Sequence, residues 1–133
     1  MLAITSKSPY AVRALSELAR RGSDHPVPIG EIARAREIPV QFLEGLFATL
    51  RRAGVLQSQR GVKGGYLFAR EPAEVTVLEV VELLEGELGS EAAASGPVWV
   101  EAATAVREVL SHTTIADVAE REAREAGAPM YYI

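Results

Sequence analysis

The sequence has no cysteine among its 133 residues, which removes several kinds of chemistry at once. Without thiols the chain cannot form a disulfide framework, a thiolate metal site or a cysteine nucleophile. Only His25 and His112 could serve as imidazole ligands, and two histidines alone make a poor metal site. We therefore expect no metal and no bound cofactor.

Long hydrophobic runs are also missing. No stretch approaches the roughly 18 apolar residues of a membrane span, and the apolar stretch from Met1 to Ile4 is far too short for a signal peptide. The sequence shows no nucleophile–base pair and no paired carboxylates in an evident cleft, as many active sites require. These absences predict a soluble, cytoplasmic protein that is not an enzyme.

Charge is divided unevenly along the chain. Residues 1–70 contain 11 Lys/Arg and 5 Asp/Glu, a net charge of +6, whereas residues 71–133 contain 3 and 13, a net charge of −10. Such an asymmetry favours a basic half that meets a polyanion. Two ordinary solvated surfaces would carry the same charges, so charge alone leaves both interpretations open.

Apolar residues recur at helical spacing along most of the chain. Ser8-Pro9 is typical of a helix start, Thr76 with Glu79 forms a capping-box pattern, and the segment from Gly86 to Gly96 has no periodicity and is predicted to be a linker. The pattern predicts six helices, which start near Ser8, around Ile29, at Val40 (ending at Ala53), after Thr76, at Pro97, and after Thr114 with Asp117 (ending at Gly127).

A β-hairpin is predicted after the third helix, because two short extended pieces flank a Gly-rich turn. The pieces are Leu56 to Arg60 and Tyr66 to Phe68. The order helix, helix, short turn, helix, hairpin is that of a winged helix-turn-helix. The expected fold is therefore mainly α with a small β-hairpin wing: a winged helix-turn-helix DNA-binding domain over residues 1–75, then dimerisation helices and a C-terminal tail over residues 76–133, all in one compact unit.

The third helix is expected to enter the major groove. Its apolar stripe faces the core, so Gln41 and Glu44 should lie on the opposite face. Gln can bind adenine bidentately, and Glu can accept from the cytosine amino group. Arg51, near the far end, suits phosphate or solvent, and Arg60 and Lys63 at the tip of the wing suit the narrow, negative minor groove.

Two other interpretations compete with DNA binding. A nucleotide-binding glycine loop is disfavoured, because the hairpin contains neither a G-x-G-x-x-G nor a Walker pattern and no helix follows it directly. A winged helix that serves only protein contacts remains open. The salt dependence of binding distinguishes such a protein-contact module from a DNA-binding regulator, since binding through phosphates weakens steeply as salt is added.

Several segments together resemble the Rrf2 family of bacterial transcriptional regulators. The resemblance implies a homodimer on an inverted-repeat operator, with the long fifth helix crossing its partner. It implies a dimer region containing Trp99, Ala103, Val106 and Leu110, and it adds Tyr10 and Phe42 to the predicted DNA contacts. The matching segments are Ser8 to Leu15, Phe42 to Leu56, Arg60-Gly61 with Gly64-Gly65-Tyr66, and Trp99 with Thr113 to Asp117.

The chain departs from the family pattern at two places. Iron–sulfur members bind their cluster through cysteines in the segment matching Gly86 to Gly96, and this chain has no cysteine, which excludes a cluster held by three thiolates. Gly45 stands where many members carry a longer polar side chain, so the operator sequence stays open.

The last four residues, Met130, Tyr131, Tyr132 and Ile133, are aromatic or apolar, whereas chain ends are usually polar. They resemble the ending of the family's cysteine-metabolism repressor branch, which works together with cysteine synthase. The resemblance implies that Ile133 enters that enzyme's active site, as the C-terminal Ile of serine acetyltransferase does, and that O-acetylserine competes with it. The alternative is that this tail packs on its own dimer.

Overall fold

The computed structural model describes residues 4–127, which form seven α-helices and one antiparallel hairpin. The predicted fold class, mainly α with a small β-hairpin, is confirmed. None of the described helices has the length and apolar character that crossing a bilayer requires. The elements are α1 (Lys7–Arg20), α2 (Ile29–Arg36), α3 (Val40–Arg52), β1 (Leu56–Gln59), β2 (Gly65–Phe68), a 3-10 turn (Pro72–Glu74), α4 (Val77–Glu85), α5 (Ala92–Ser95), α6 (Pro97–Ser111) and α7 (Ile115–Gly127).

Side-chain caps mark two of the predicted helix starts. At α4, Thr76 Oγ1 accepts from the Glu79 N–H at 3.0 Å, but the Glu79 carboxylate bonds Arg70 and leaves the capping box half complete. At α7 the box is complete: the Asp117 N–H donates to Thr114 Oγ1 at 3.0 Å, and the Thr114 N–H donates to the Asp117 carboxylate at 2.9 Å. The Thr114 N–H lowers the pKa of Asp117, because it stabilises the charged form.

The prediction that Ser8 is the N-cap of α1 and Pro9 its first residue is wrong by two residues. The helix starts at Lys7, after Ser6, and Ser8 is buried in its first turn. The Ser8 hydroxyl donates to the Glu85 carboxylate, which also accepts from the Thr5 N–H at 2.6 Å. The hydrogen-bond partner of Ser8 therefore comes from the end of α4, and no pattern near Ser8 in the sequence predicts this contact.

One hydrophobic core spans both halves of the chain. Leu15 of α1 and Phe47 of α3 lie in the same buried cluster as Val77 and Val80 of α4 and Ile115 of α7. Burying each large side chain of this kind contributes roughly 1.5–3 kcal/mol. The helices beyond residue 75 are thus part of the structure that holds the N-terminal half together.

The segment predicted to be a linker is instead folded onto α6. It contains the short helix α5, and Leu88 and Ala92 are buried. The Leu88 N–H donates to the Glu82 carboxylate at 3.1 Å. Gly89 packs so closely on α6 that an added Cβ would lie 2.6 Å from the Cβ of Ala103. The segment lacks periodicity because isolated contacts, not a helical face, hold it in place.

A polar network joins α1, α2 and α7. Arg36, in the last turn of α2, donates to both carboxylate oxygens of Glu122 at 2.8 and 2.9 Å and to the Glu17 carboxylate at 2.9 Å. The Ser16 hydroxyl also donates to Glu122. The bond from Arg36 lowers the pKa of Glu122 to about 2, and the same bond raises the pKa of Arg36. Below we call these four residues the Arg36 network.

Candidate nucleic-acid interface

The helix-turn-helix is closed by a short turn between α2 and α3. Glu37 ends α2 with left-handed backbone (φ 55°, ψ 46°), and the Ile38 N–H donates back to the Ala33 carbonyl at 2.9 Å. Such a backbone is uncommon for a residue other than glycine. Pro39 then precedes the first residue of α3, because proline fits where a helix has no use for an N–H.

The exposed face of α3 is the one that the sequence predicts. Its apolar stripe of Leu43, Leu46, Phe47 and Leu50 is buried in the core. Gln41 and Glu44 are exposed, as is Gly45 between them and the end of the helix. The N-terminal part of α3 therefore presents an amide and a carboxylate to solvent, the two groups that can bond to base edges.

Tyr10 and Phe42, which the family resemblance adds to the predicted DNA contacts, pack on each other between α1 and α3. Their rings meet edge to face with centroids 5.6 Å apart, and both are half-buried against the core. The guanidinium of Arg13 lies 5.8 Å from the Tyr10 ring centroid and donates to the Arg36 carbonyl at 2.8 Å. These contacts set α3 against α1, so the two rings position the exposed face of α3.

The hairpin is fixed to the core at its base. β1 and β2 pair antiparallel, from Leu56 opposite Phe68 to Gln59 opposite Gly65. Tyr66 exchanges two backbone hydrogen bonds with Val27, at 2.8 and 3.0 Å, and its ring packs edge to face on Phe47 at 5.1 Å. The hairpin, which we call the wing, is thereby held next to α3.

The tip of the wing, residues 60–64, is a tight turn. The Gly64 N–H donates to the Gly61 carbonyl at 3.0 Å, which places Val62 and Lys63 at the two central positions. A Cβ at Gly64 would lie 2.3 Å from the Gln59 carbonyl oxygen, so only glycine fits there. Arg60, Val62 and Lys63 are all exposed.

Basic side chains in the N-terminal half fall into two groups. Arg20, Arg21, Arg36 and Arg70 form salt bridges with carboxylates. Across residues 4–127, no salt bridge neutralises the second group, which is exposed and comprises Lys7, Arg13, Arg34, Arg51, Arg52, Arg60 and Lys63. Four of these seven, Arg51, Arg52, Arg60 and Lys63, lie beside the exposed face of α3, at its end and on the wing.

Arg51 also links the two parts of this surface. Its Nη1 donates to the hydroxyl of Ser58 on β1 at 3.3 Å. Arg52 bonds back along its own helix, to Thr49 Oγ1 at 3.3 Å. The end of α3 and the first strand of the wing thus form one continuous basic surface, which the charge count of the sequence alone could not locate.

The predicted dimerisation residues mostly face their own chain. Of the four, only Trp99 is exposed: Ala103 is buried against Gly89, and Val106 and Leu110 are half-buried. Ala103 therefore offers almost no surface to a partner, and its prediction as a dimer contact needs correction. The stripe one residue earlier keeps the same spacing and is largely open to solvent, with about two thirds of Val98 and Val109 exposed; it comprises Val98, Ala102, Ala105 and Val109.

The predicted partner-binding residues Met130, Tyr131, Tyr132 and Ile133 lie outside the described residues.

Comparison with known proteins finds relatives over nearly the whole chain. The model of the Rrf2 family, described as an iron-dependent transcriptional regulator, matches residues 4–121. The HTH-type transcriptional regulator CymR of Bacillus subtilis is 33% identical over 136 residues, which cover 98% of this chain and 99% of CymR.

Solved structures agree with the match in sequence. The structure of CymR, the global cysteine regulator of B. subtilis, gives a TM-score of 0.80 at 34% identity and covers 91% of this chain and 98% of that one. The structure of IscR from T. potens also gives 0.80, at 36% identity, and covers 94% and 90%.

Iron in the family description raises the question of a metal site. Iron–sulfur clusters are held by thiolates, and this sequence has none. Between Gly86 and Gly96 the ligand-type side chains are the carboxylates of Glu87 and Glu91. Within residues 4–127, no three His, Asp or Glu side chains come together as a metal site would need. The donors present do not fit a cluster of the thiolate type.

Proposed function

The chain belongs to the Rrf2 family of transcriptional regulators, and on that premise we propose that α3 and the wing bind an operator in double-stranded DNA and repress transcription. The uncompensated charge of Arg51, Arg52, Arg60 and Lys63 carries this proposal, because phosphates supply most of the affinity in such complexes. This charge lies at the end of α3 and on the wing, where a winged helix-turn-helix would contact the DNA backbone on either side of α3.

The geometry suggests a division of labour on the operator. Gln41 and Glu44 reach base edges in the major groove, where adenine and cytosine each offer a matching group. Arg51 and Arg52, at the other end of α3, contact phosphates and fix the register. Arg60 on the wing enters the adjacent minor groove, whose negative potential attracts guanidinium groups.

The DNA proposal is tested with a duplex selected by the full chain from a random library. Fluorescence anisotropy of that duplex at several salt concentrations should show binding that weakens steeply with salt. Arg60→Ala should cost about 1–3 kcal/mol of binding free energy. Arg124→Ala is the matched control, because Arg124 is equally charged and exposed but lies on α7. Binding that ignores salt, or equal losses in both variants, would contradict the proposal.

We propose further that the protein is a homodimer joined through α6. A monomer rarely leaves several large apolar side chains of one helix exposed without a partner, and α6 exposes Val98, Trp99, Val100 and Val109. A two-fold protein would present two copies of α3 to an inverted repeat.

Analytical ultracentrifugation tests the dimer. Val109→Glu places a charge in the proposed interface and should shift the protein to a monomer at micromolar concentration. Val62→Glu makes the same change on the wing, and that variant should sediment as the wild type does. If the Val109→Glu protein remains dimeric, the interface does not include this stripe.

We also propose that the regulator works without an iron–sulfur cluster and controls cysteine metabolism, with cysteine synthase as co-regulator. Similarity to CymR over nearly the full length supports this assignment. The test mixes the full chain, with or without Ile133, with purified cysteine synthase and follows complex formation by ultracentrifugation. Binding that needs Ile133 and is displaced by O-acetylserine is expected. If no complex forms, the effector is a different one, while the DNA proposal is unaffected.

A further inference from the structure

One exposed apolar side chain stands at the tip of the wing, between Arg60 and Lys63 in the sequence. Val62, at the apex of the wing, has 103% of the exposure of a free valine residue, so no neighbour in the described chain covers it. The other strongly exposed apolar side chains lie on α6, at Val98 and Val109. A single exposed valine is common on protein surfaces. This one is of interest because cations flank it in the sequence.

The turn that carries Val62 has a fixed shape. Val62 occupies the first central position of the turn closed by Gly61 and Gly64. The backbone of Gly61 (φ 111°) and the close approach of Gly64 to Gln59 both demand glycine. The valine is therefore held out from the wing by a backbone with little freedom, and a rigid presentation lowers the entropy lost on binding.

Cations flank the valine on both sides. Arg60 precedes it by two residues and Lys63 follows it directly, and neither forms a salt bridge among residues 4–127. An apolar group between two cations matches the section of a minor groove, where deoxyribose carbons form walls above a floor of base edges, between two rows of phosphates. The B-DNA minor groove is about 6 Å wide, and a two-residue turn is slender enough to enter it.

We propose that Val62 rests on the floor of the minor groove and makes the wing select against G·C pairs. This proposal rests on the DNA-binding function proposed above. In this groove a G·C pair differs from an A·T pair by the guanine 2-amino group, which projects from the floor. A branched aliphatic side chain cannot accept a hydrogen bond from that amino group and competes with it for space, so a G·C pair under Val62 leaves a donor unsatisfied.

Inosine isolates the group on which the proposal depends. An I·C pair lacks the 2-amino group but presents the same major-groove edge as G·C, so it separates minor-groove from major-groove reading. The probe is the duplex selected by the full-length wild type, with the A·T pairs under the wing replaced by G·C or by I·C. The wild type should bind the I·C duplex as well as the A·T duplex and the G·C duplex roughly tenfold more weakly.

Two variants complete the test. Val62→Ala should bind the A·T duplex several-fold more weakly and lose most of the discrimination against G·C, whereas Arg60→Ala should weaken binding to all three duplexes and keep the ratio. Equal binding of wild type to G·C and I·C, or an unchanged ratio in Val62→Ala, would overturn the role of Val62 alone. If the random library yields no duplex at all, both this inference and the proposed function fail.

Discussion

At the scale of single residues, the glycines of this chain separate into those that structure requires and those that it does not. Gly45 lies inside α3 with an ordinary helical backbone, and a Cβ added there would meet nothing within 4 Å. Gly54, just beyond the same helix, has equally open space but a φ of 83°. The two positions therefore differ in backbone conformation alone.

We predict opposite signs for alanine at these positions. Gly45→Ala should raise the free energy of unfolding by about 0.5–1 kcal/mol, because glycine is the poorer helix former. Gly54→Ala should lower it by roughly 1 kcal/mol, since alanine is strained at positive φ. Urea denaturation at one protein concentration measures both. A loss of stability in Gly45→Ala would mean that α3 is constrained by something beyond the contacts described.

At the scale of elements, the wing depends on one close approach at its base. Gly65 has φ 149°, and a Cβ there would lie 2.3 Å from the Val27 carbonyl oxygen. That carbonyl accepts the Tyr66 N–H, so a side chain at position 65 would push apart the strand and the segment that anchors it.

We predict that Gly65→Ala loosens the wing without unfolding the helices. The steric conflict and the strained backbone together should lower the free energy of unfolding by roughly 1–3 kcal/mol. Operator affinity should fall as well, while the helical circular dichroism stays unchanged. For stability, Gly61→Ala is the control: Gly61 has positive φ but open space around it, so that variant should lose less free energy of unfolding. Equal losses of stability in the two variants would indicate that backbone strain, and not the contact with Val27, causes the loss.

The sequence predicts some features of the helices correctly and others incorrectly, for identifiable reasons. The capping box at Thr114 and Asp117 is local, so the sequence suffices to predict the start of α7. The two stripes of α6 are both apolar at helical spacing, and periodicity could not tell which one the chain itself covers. That choice depends on the docking of Gly89 against Ala103, and the segment that contains Gly89 has no periodic pattern of its own.

At the scale of the whole molecule, the Arg36 network links the helix-turn-helix to the C-terminal helix. Glu122 has a folded pKa of about 2, below its ordinary 4.5, chiefly because Arg36 donates to its charged form. The unfolded chain therefore binds a proton more readily than the folded one as the pH falls. The stabilisation is complete above pH 4.5 and is lost as the pH drops from 4.5 towards 2. Allowing for partial solvent access, it amounts to roughly 1–2 kcal/mol.

We predict that Glu122→Gln lowers the melting temperature by roughly 3–8 °C at pH 7. The difference from the wild type should shrink as the pH falls from 4.5 towards 2, since over that range the unfolded wild-type chain takes up a proton at Glu122 that the folded one does not. Glu125→Gln, a change of the same kind at an exposed position of α7 outside the described salt bridges, should have little effect at either pH. A gap of constant size between pH 7 and pH 3 would show that charge is not what Glu122 contributes.

The shared core limits how α3 and the wing could be transplanted into a chimeric protein. A cut near residue 75 would expose the cavity that Val77, Val80 and Ile115 fill and would leave the half-buried guanidinium of Arg36 without Glu122. A graft that carries α3 and the wing therefore has to include α4 and α7. The smallest part of the protein that could be transferred in folded form is nearly the entire chain.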